Sequence, residues 1–279
     1  MARDEYLVVA IDGTMSESES YTGVYNDEQR LMCVANESNT IRFKNAVQIP
    51  AGNKYFHHGP DHWQGSTGWD SEQIEKGAWN WLKLQLRHKP YAKVILVGHS
   101  RGGHIVANIA IRLSKMSVED FVVKMYATGT VLPQLPQQKV HFLGLYDAVD
   151  MTTALGDTSK VPSNVVWFYH AMRSKALGSR EAWGNTATDF ESYDEKRYQV
   201  KEYKGTHGSM GGAVPSGCET TWGRDLTIFG ATGIIGYTAS TYVLESCSEE
   251  LTAEENKAAG DAAHKDMIAW AKKAGVPVR

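Results

Sequence analysis

The chain has little cysteine and no excess of basic residues, and each shortage argues against a class of protein. The three cysteines, Cys33, Cys218 and Cys247, do not show the paired spacing of a metal site. We expect reduced and inert thiols, with a Cys218–Cys247 disulfide as the alternative. The net charge is −3 and the pI is near 6.4, so there is no basic stripe to neutralise phosphates. A nucleic-acid partner is therefore not expected.

The start of the chain also lacks the features of a secretion signal. Its first residues, MARDEYLVVAIDG, carry acidic side chains and lead directly into an apolar run, so no signal peptide is expected. This predicts a cytoplasmic protein, or one exported by a secretion system that needs no signal peptide. A length of 279 residues with 42% hydrophobic content predicts one α/β domain over residues 1–279.

One stretch, residues 91–115, organises the rest of the sequence and reads YAKVILVGHSRGGHIVANIAIRLSK. An apolar, β-branched run at 93–97 predicts a buried parallel strand, and apolar residues at helical spacing over 105–113 predict a helix. Between them lies the G-x-S-x-G pattern of 98–102. In a strand–turn–helix setting this pattern is typical of a nucleophile elbow, which exposes the hydroxyl of Ser100 above the sheet edge. The alternative is a Gly-rich turn that begins a helix or binds a phosphate, but no Walker Lys-Ser/Thr pair or G-x-G-x-x-G is present.

Further apolar runs predict a mostly parallel central sheet with helices on both faces. Strands are predicted at 6–11, 121–127, 140–146, 165–170 and 198–203, with a weak strand signal at 41–43, and an amphipathic helix at 71–87.

A serine hydroxyl is a poor nucleophile at neutral pH and needs an oriented imidazole to take its proton. In α/β-hydrolases the order along the chain is Ser, acid, His, with each residue in a loop after a strand. Asp147 and His207 satisfy both conditions. Asp150 and Asp157 are the alternative acids. His170 is the alternative base, but it lies inside an apolar run, where a core histidine with one hydrogen bond is expected.

An oxyanion hole needs two backbone N–H groups directed at the developing negative charge. Arg101, which follows the candidate nucleophile, supplies the first. The second is expected from the loop after the first strand, where Gly13 lets the backbone approach and Thr14 or its neighbour donates. Asp12 in the same loop is equally well explained as a turn residue.

With these motifs the chain resembles the uncharacterised α/β-hydrolase family whose best-known members are type VI secretion phospholipase effectors. The stretches that carry the resemblance are the Asp-Gly-Thr of 12–14, a loosely matched aromatic loop at 55–59, the elbow at 98–102, the Leu-Gly-x-aromatic-Asp of 143–147, the His-Ala pair of 170–171 and the His-x-x-x-Gly-Gly of 207–212. The resemblance implies the α/β-hydrolase fold, an ester substrate that includes lipids and phospholipids, and catalysis by Ser100, Asp147 and His207. It also implies a closing helix with Asp and Trp, which corresponds to 263–275 here.

The chain departs from that family in two places. An Asp usual soon after the catalytic His is replaced by Ser209-Met210, and about 214–262 is an apparent insertion. Within it, 226–244 holds no charged residue for 19 residues. Its length alone permits a membrane span, but its Gly and Thr content favours a buried helix beside the sheet. A further hypothesis is that this segment forms a lid or an acyl-binding wall over the site.

The sequence as a whole predicts a serine esterase or lipase that needs no metal and no organic cofactor. The aromatic residues Tyr55 and Trp63, together with His99 beside the nucleophile, are the candidates for substrate contact. The substrate is a small soluble ester or a lipid, and a lipid substrate would bring peripheral contact with a membrane. The alternative from another class is a catalytically silent hydrolase-fold protein that only binds. The oligomeric state is not predicted.

Overall fold

The structure is a computed structural model, and it describes residues 5–13, 38–60, 69–116, 139–149, 155–175, 185–212, 222–226, 241–244 and 251–279. The strands are β1 (Tyr6–Ile11), β2 (Lys54–His57), β3 (Lys93–His99), β4 (Val140–Tyr146), β5 (Lys160–Val161), β6 (Val165–Arg173), β7 (Asp189–Phe190), β8 (Tyr198–Tyr203), β9 (Trp222–Leu226) and β10 (Thr241–Leu244). The α-helices are α1 (Asn39–Ala46), α2 (Trp69–His88), α3 (Ser100–Ser114), α4 (His207–Met210) and α5 (Ala253–Lys273).

Six strands form one parallel sheet in the order β2-β1-β3-β4-β6-β8. Because all of them run in the same direction, their carboxyl ends meet at one edge of the sheet. That edge carries the ends of β1, β3, β4 and β6, and the residues after them. These strands and the covering helices confirm the predicted α/β fold class, a mostly parallel central sheet with helices on both faces.

Helices cover both faces of this sheet, as the largely apolar central strands β1, β3 and β4 require. Residues of β1 alternate between the two sides: Leu7, Val9 and Ile11 belong to one apolar cluster, and Tyr6, Val8 and Ala10 to the other. The first cluster is completed by α2 and α3, and the second by α1 and α5. The sheet edge is therefore held rigidly from both sides, which fixes the loops that follow the strands.

The strands predicted at 6–11, 140–146 and 198–203 match the observed bounds, and the helix predicted at 71–87 is longer at both ends. The helix expected at 263–275 begins ten residues earlier, at Ala253, and ends two residues earlier, at Lys273. The weak strand signal at 41–43 was wrong, because these residues lie in α1. There Ser38 accepts a hydrogen bond from the Ile41 N–H at 3.1 Å and caps the helix. The N-terminal cap outweighs the β-propensity of a few residues. The predicted strand at 121–127 lies outside the described residues.

The segment 226–244 does not form one continuous helix. Its first residue ends β9 and its last four form β10, and the two strands pair antiparallel. β-branched and aromatic residues in Thr241–Leu244 favour a strand over a helix. Residues 227–240 lie outside the described part, so the lid hypothesis stays a prediction. Among the described residues, no helix is both long enough and apolar enough to cross a membrane.

Candidate active site

Ser100 stands at the junction of β3 and α3, in the sharp turn that the G-x-S-x-G pattern predicts. Its φ is +55°, a left-handed conformation that is unusual for a residue with a side chain. A Cβ on Gly98 would lie 2.4 Å from the carbonyl oxygen of Gly102. A Cβ on Gly102 would lie 2.3 Å from the carbonyl oxygens of Ile11 and Asp12. Both glycines are therefore required by close backbone contacts, and together they allow the turn that presents Ser100.

The three residues predicted as Ser, acid and His come together at the carboxyl edge of the sheet. The Nε2 of His207 lies 2.9 Å from the Oγ of Ser100. The Nδ1 of His207 lies 2.7 Å from the Oδ2 of Asp147. A carboxylate accepts, so Nδ1 carries a proton and donates, and the lone pair of Nε2 is left to accept the proton of the Ser100 hydroxyl. This is the arrangement that a serine hydroxyl needs to lose its proton during attack.

Asp147 directly follows β4, with a φ of +44°, and is fully buried. Burial alone would raise the pKa of its carboxyl group. The hydrogen bond and charge of His207, and then the charge and hydrogen bond of Arg173, outweigh burial and hold the pKa of Asp147 well below its usual range. Asp147 is therefore ionised throughout the neutral range, as an acceptor for His207 must be.

Two further side chains, which the sequence analysis did not identify, hold the Asp147 carboxylate. Nη1 of Arg173 donates to Oδ2 at 2.6 Å, and the backbone N–H of Arg173 donates to Oδ1 at 3.2 Å. The Asn185 amide donates to Oδ1 at 2.8 Å. Arg173 ends the apolar run of β6, which lies next to β4 in the sheet. A charged residue at the end of an apolar strand could therefore have been predicted from the sequence to lie at the site. Asn185 comes from a loop and has no comparable signal.

His207 begins α4, and contacts from two other helices fix its position. Thr206 caps α4 by accepting from the Ser209 N–H, and its own N–H donates to the Asn256 amide oxygen of α5 at 2.9 Å. The Asn39 amide of α1 donates to the Met210 carbonyl at 2.9 Å. These buried amide contacts tie the His207 turn to both helices on that face of the sheet.

His99, a predicted substrate contact, packs against His207. The two ring centroids are 5.0 Å apart, and Nε2 of His99 donates to the His207 backbone carbonyl at 3.2 Å. A Cβ on Gly13 would lie 2.6 Å from Nδ1 of His99 and 3.0 Å from Cβ of Ser100. His99 thus lies in the wall between the Gly13 loop and the His207 turn, and its role toward a substrate stays a prediction.

The oxyanion-hole candidates are only partly described. Arg101 is in the first turn of α3, immediately after Ser100, and is mostly buried. The backbone of Gly13 adjoins Ser100, and its N–H donates to the Asp12 carboxylate at 3.2 Å. Thr14 lies outside the described residues. The assignment of both oxyanion donors therefore stays a prediction.

Tyr55 lies in β2, half-buried against Trp81 with ring centroids 5.6 Å apart, and burial raises the pKa of its phenol. Trp63, the other aromatic candidate, lies outside the described residues. Substrate contact by either residue stays a prediction.

Of the alternative acids and base, the structure describes Asp157 and His170, and neither takes part in the hydrogen bonds between Ser100, His207 and Asp147. His170 is fully buried in β6, where its Nε2 accepts the Ala148 N–H at 3.0 Å, and burial lowers its pKa to about 4. This is the core histidine that the apolar run predicts. Asp157 is exposed and accepts from the Ser159 N–H at 2.8 Å. Asp150 and all three cysteines lie outside the described residues. Within the described part of the chain, no cluster of His, Cys, Asp and Glu could hold a metal ion.

Comparison with known proteins supports the fold and goes no further. The chain matches no protein-family profile and no curated protein sequence. It is similar to the crystal structure of an uncharacterized protein from Pseudomonas aeruginosa, with 14% sequence identity, a TM-score of 0.52 and coverage of 99% of this chain. The match covers 47% of that protein, so this chain spans about half its length.

A second similar structure is YbtT, a type II thioesterase from a yersiniabactin NRPS/PKS biosynthetic pathway. It has 10% identity and a TM-score of 0.24 over 72% of this chain and 87% of YbtT. The resemblance to phospholipase effectors therefore stays a prediction. What these comparisons establish for the chain is its fold, a parallel α/β sheet with covering helices.

Proposed function

We propose that the chain is a serine hydrolase that cleaves carboxylic esters through a covalent acyl-enzyme. The observation that carries this proposal is the hydrogen-bonded triad of Ser100, His207 and Asp147. Its two contacts are Ser100 Oγ to His207 Nε2 at 2.9 Å and His207 Nδ1 to Asp147 Oδ2 at 2.7 Å. Its members stand in the order and on the strand ends typical of α/β-hydrolases. A buried triad of this kind activates the serine hydroxyl as a nucleophile.

The first half of the reaction transfers the acyl group to the enzyme. Ser100 Oγ attacks the ester carbonyl carbon while its proton passes to Nε2 of His207, giving a tetrahedral oxyanion. The Arg101 N–H, at the positive end of α3, is directed toward that charge. The C–O bond to the alcohol then breaks, and His207 returns the proton to the leaving oxygen. The products are the free alcohol and acyl-Ser100.

The second half repeats these steps with water. His207 takes a proton from a water molecule, whose oxygen attacks the acyl carbon. Collapse of the second tetrahedral intermediate breaks the bond to Ser100 Oγ, which recovers its proton from His207. Asp147 holds Nδ1–H of His207 throughout, and so keeps Nε2 as the acceptor in each attack. No metal ion or organic cofactor takes part in these steps.

We propose acyl esters, including lipid esters, as the substrate class. The sequence resemblance to phospholipase effectors favours lipids, and the half-buried aromatic Tyr55 of the edge strand β2 is compatible with an apolar acyl chain. A lipid substrate would bring the protein to a membrane surface, whereas a soluble ester would not.

The test is hydrolysis of para-nitrophenyl esters of increasing acyl length, and of phospholipid vesicles, by the wild-type protein and Ser100→Ala. Only the Oγ is lost in this variant, so its melting temperature should remain that of the wild type. We expect kcat to fall by about 10⁴-fold or more. A well-folded Ser100→Ala protein that keeps a tenth of the activity would contradict the serine mechanism. No hydrolysis of any ester by the wild type would favour a silent binding protein.

A further inference from the structure

The Asp147 carboxylate interacts with two positively polarised partners, Arg173 and His207, through the same oxygen. Nη1 of Arg173 lies 2.6 Å from Oδ2, and Nδ1 of His207 lies 2.7 Å from the same oxygen. The side chains of Arg173, Asp147 and His207 are 5%, 0% and 4% exposed. Solvent therefore screens their interactions weakly, and the charge of Arg173 acts strongly on both neighbours.

We infer that Arg173 is a positioning residue that orients Asp147 toward His207 and keeps His207 in its neutral, proton-accepting form at lower pH. The inference rests on the proposed function, in which His207 must be neutral to accept the Ser100 proton. Arg173 then extends the pH range of catalysis downward, in addition to its contacts with Asp147.

The orienting part follows from the way in which Arg173 holds both oxygens of one carboxylate. Its guanidinium binds Oδ2 and its backbone N–H binds Oδ1. Asn185 adds a second donor at Oδ1 at 2.8 Å. With both oxygens held, the carboxylate cannot rotate, and Oδ2 stays in line with Nδ1 of His207. An arginine is suited to this work because its guanidinium is planar and always charged.

The effect of Arg173 on the protonation of His207 follows from the combined charge of Asp147 and Arg173. A lone buried carboxylate beside an imidazole strongly favours the imidazolium form. Arg173 cancels that charge, so Asp147 and Arg173 together form a neutral pair that still accepts the Nδ1–H hydrogen bond. Protonated His207 would also be repelled by Arg173 itself. Both effects favour neutral His207.

The other titratable groups around this pair do not replace Arg173. From β3, His99 packs its ring on His207 and donates to its backbone carbonyl. From β6, His170 faces Asp147, but burial lowers its pKa to about 4, so it is uncharged in the neutral range. After β1, Asp12 lies beside the elbow, with its backbone against Gly102. Among these described groups, Arg173 is the permanent cation on the Asp147 carboxylate.

The experiment follows the imidazole of His207 by carbon–proton NMR during a pH titration, with His207→Gln used to assign the signal. This readout needs no catalytic activity. We expect Arg173→Gln, which keeps an amide donor but removes the charge, to raise the titration midpoint of His207 by about one to two pH units. The acid limb of kcat/KM should move upward by the same amount. Arg173→Lys, which keeps the charge, should leave the midpoint near that of the wild type.

Arg197→Gln is the matched control. Arg197 pairs with Asp194 at 2.6 Å and is 47% exposed. The same change of charge there should move neither readout. An unchanged His207 midpoint in folded Arg173→Gln overturns the inference, whether or not the protein is an esterase. A wild type that hydrolyses no ester and is not acylated at Ser100 overturns the proposed function instead.

If Arg173→Gln does not fold, Arg173→Lys carries the test. A lysine supplies one point charge without the planar fork, so the carboxylate should be oriented less well. We expect kcat per active site, counted by covalent titration of Ser100, to fall by about tenfold with KM unchanged. Wild-type kcat per titrated site would mean that Arg173 only maintains the fold, and would overturn the inference.

Discussion

Replacement of Gly102 by alanine tests whether the turn around Ser100 is as tightly constrained as its contacts indicate. The added Cβ would lie 2.3 Å from the carbonyl oxygens of both Ile11 and Asp12. Reaching ordinary van der Waals contact requires a shift of about 1 Å. The end of β1 cannot give way, because β1 is hydrogen-bonded between β2 and β3. The elbow itself must therefore move.

A shift of that size at Gly102 displaces Ser100, two residues away, from the 2.9 Å contact with His207. We expect kcat/KM on para-nitrophenyl butyrate to fall by about 10²-fold. The free energy of unfolding should fall by about 1 to 3 kcal/mol, because the variant is overpacked. The measurements are initial rates per titrated serine and a thermal melt.

Gly52→Ala is the control for this variant, since a Cβ there meets nothing within 4 Å. It should keep wild-type kcat/KM and melting temperature. A Gly102→Ala protein with the rate and the melting temperature of the wild type would refute the argument that backbone contacts hold the elbow in place.

Further predictions concern the acid and the buried histidine. Asp147→Asn should favour the wrong tautomer of His207 and reduce kcat by about 10³- to 10⁴-fold at neutral pH, whereas Asp157→Asn should have little effect, as steady-state rates on one ester will show. Equal losses in the two variants would contradict the assignment of the acid. His170 has its pKa lowered to about 4 in the folded protein and an ordinary value of about 6.5 in the unfolded chain. Between these values the unfolded chain binds the proton and the folded protein does not, so His170 should contribute about 2 kcal/mol to the fall in the free energy of unfolding from pH 7 to about pH 5. Urea unfolding at the two pH values should show a smaller fall in His170→Gln, and an equal fall would mean that His170 is not the group that titrates.

The sequence predicted those parts of the fold and site that depend on local patterns. The apolar run of β1 and the mostly apolar run of β4, which His141 alone interrupts, marked both strands with their observed bounds, because a strand covered on both faces needs mostly apolar side chains. The elbow was predictable because the two glycines of G-x-S-x-G are needed where a side chain would clash with the backbone. The structure shows this requirement in the close backbone contacts of Gly98 and Gly102.

The rest depends on contacts between distant parts of the chain, which local patterns do not record. The helix at 39–46 replaced a predicted weak strand because it is capped by Ser38 and packs Phe43 against Phe142 of the sheet, with ring centroids 5.8 Å apart. Asn185 reaches Asp147 across 38 positions of sequence. No spacing rule connects two such residues, so neither contact could be read from the sequence.

The central claim is that Ser100 is an activated nucleophile, and covalent labelling by a fluorophosphonate tests it most directly. The reagent is incubated with the full chain, and the modified residue is located by intact mass and peptide mapping. We predict one adduct per molecule, on Ser100, that forms more slowly as His207 is protonated and is absent from Ser100→Ala. A folded wild-type protein that takes no label, or takes it on another residue, would contradict the account.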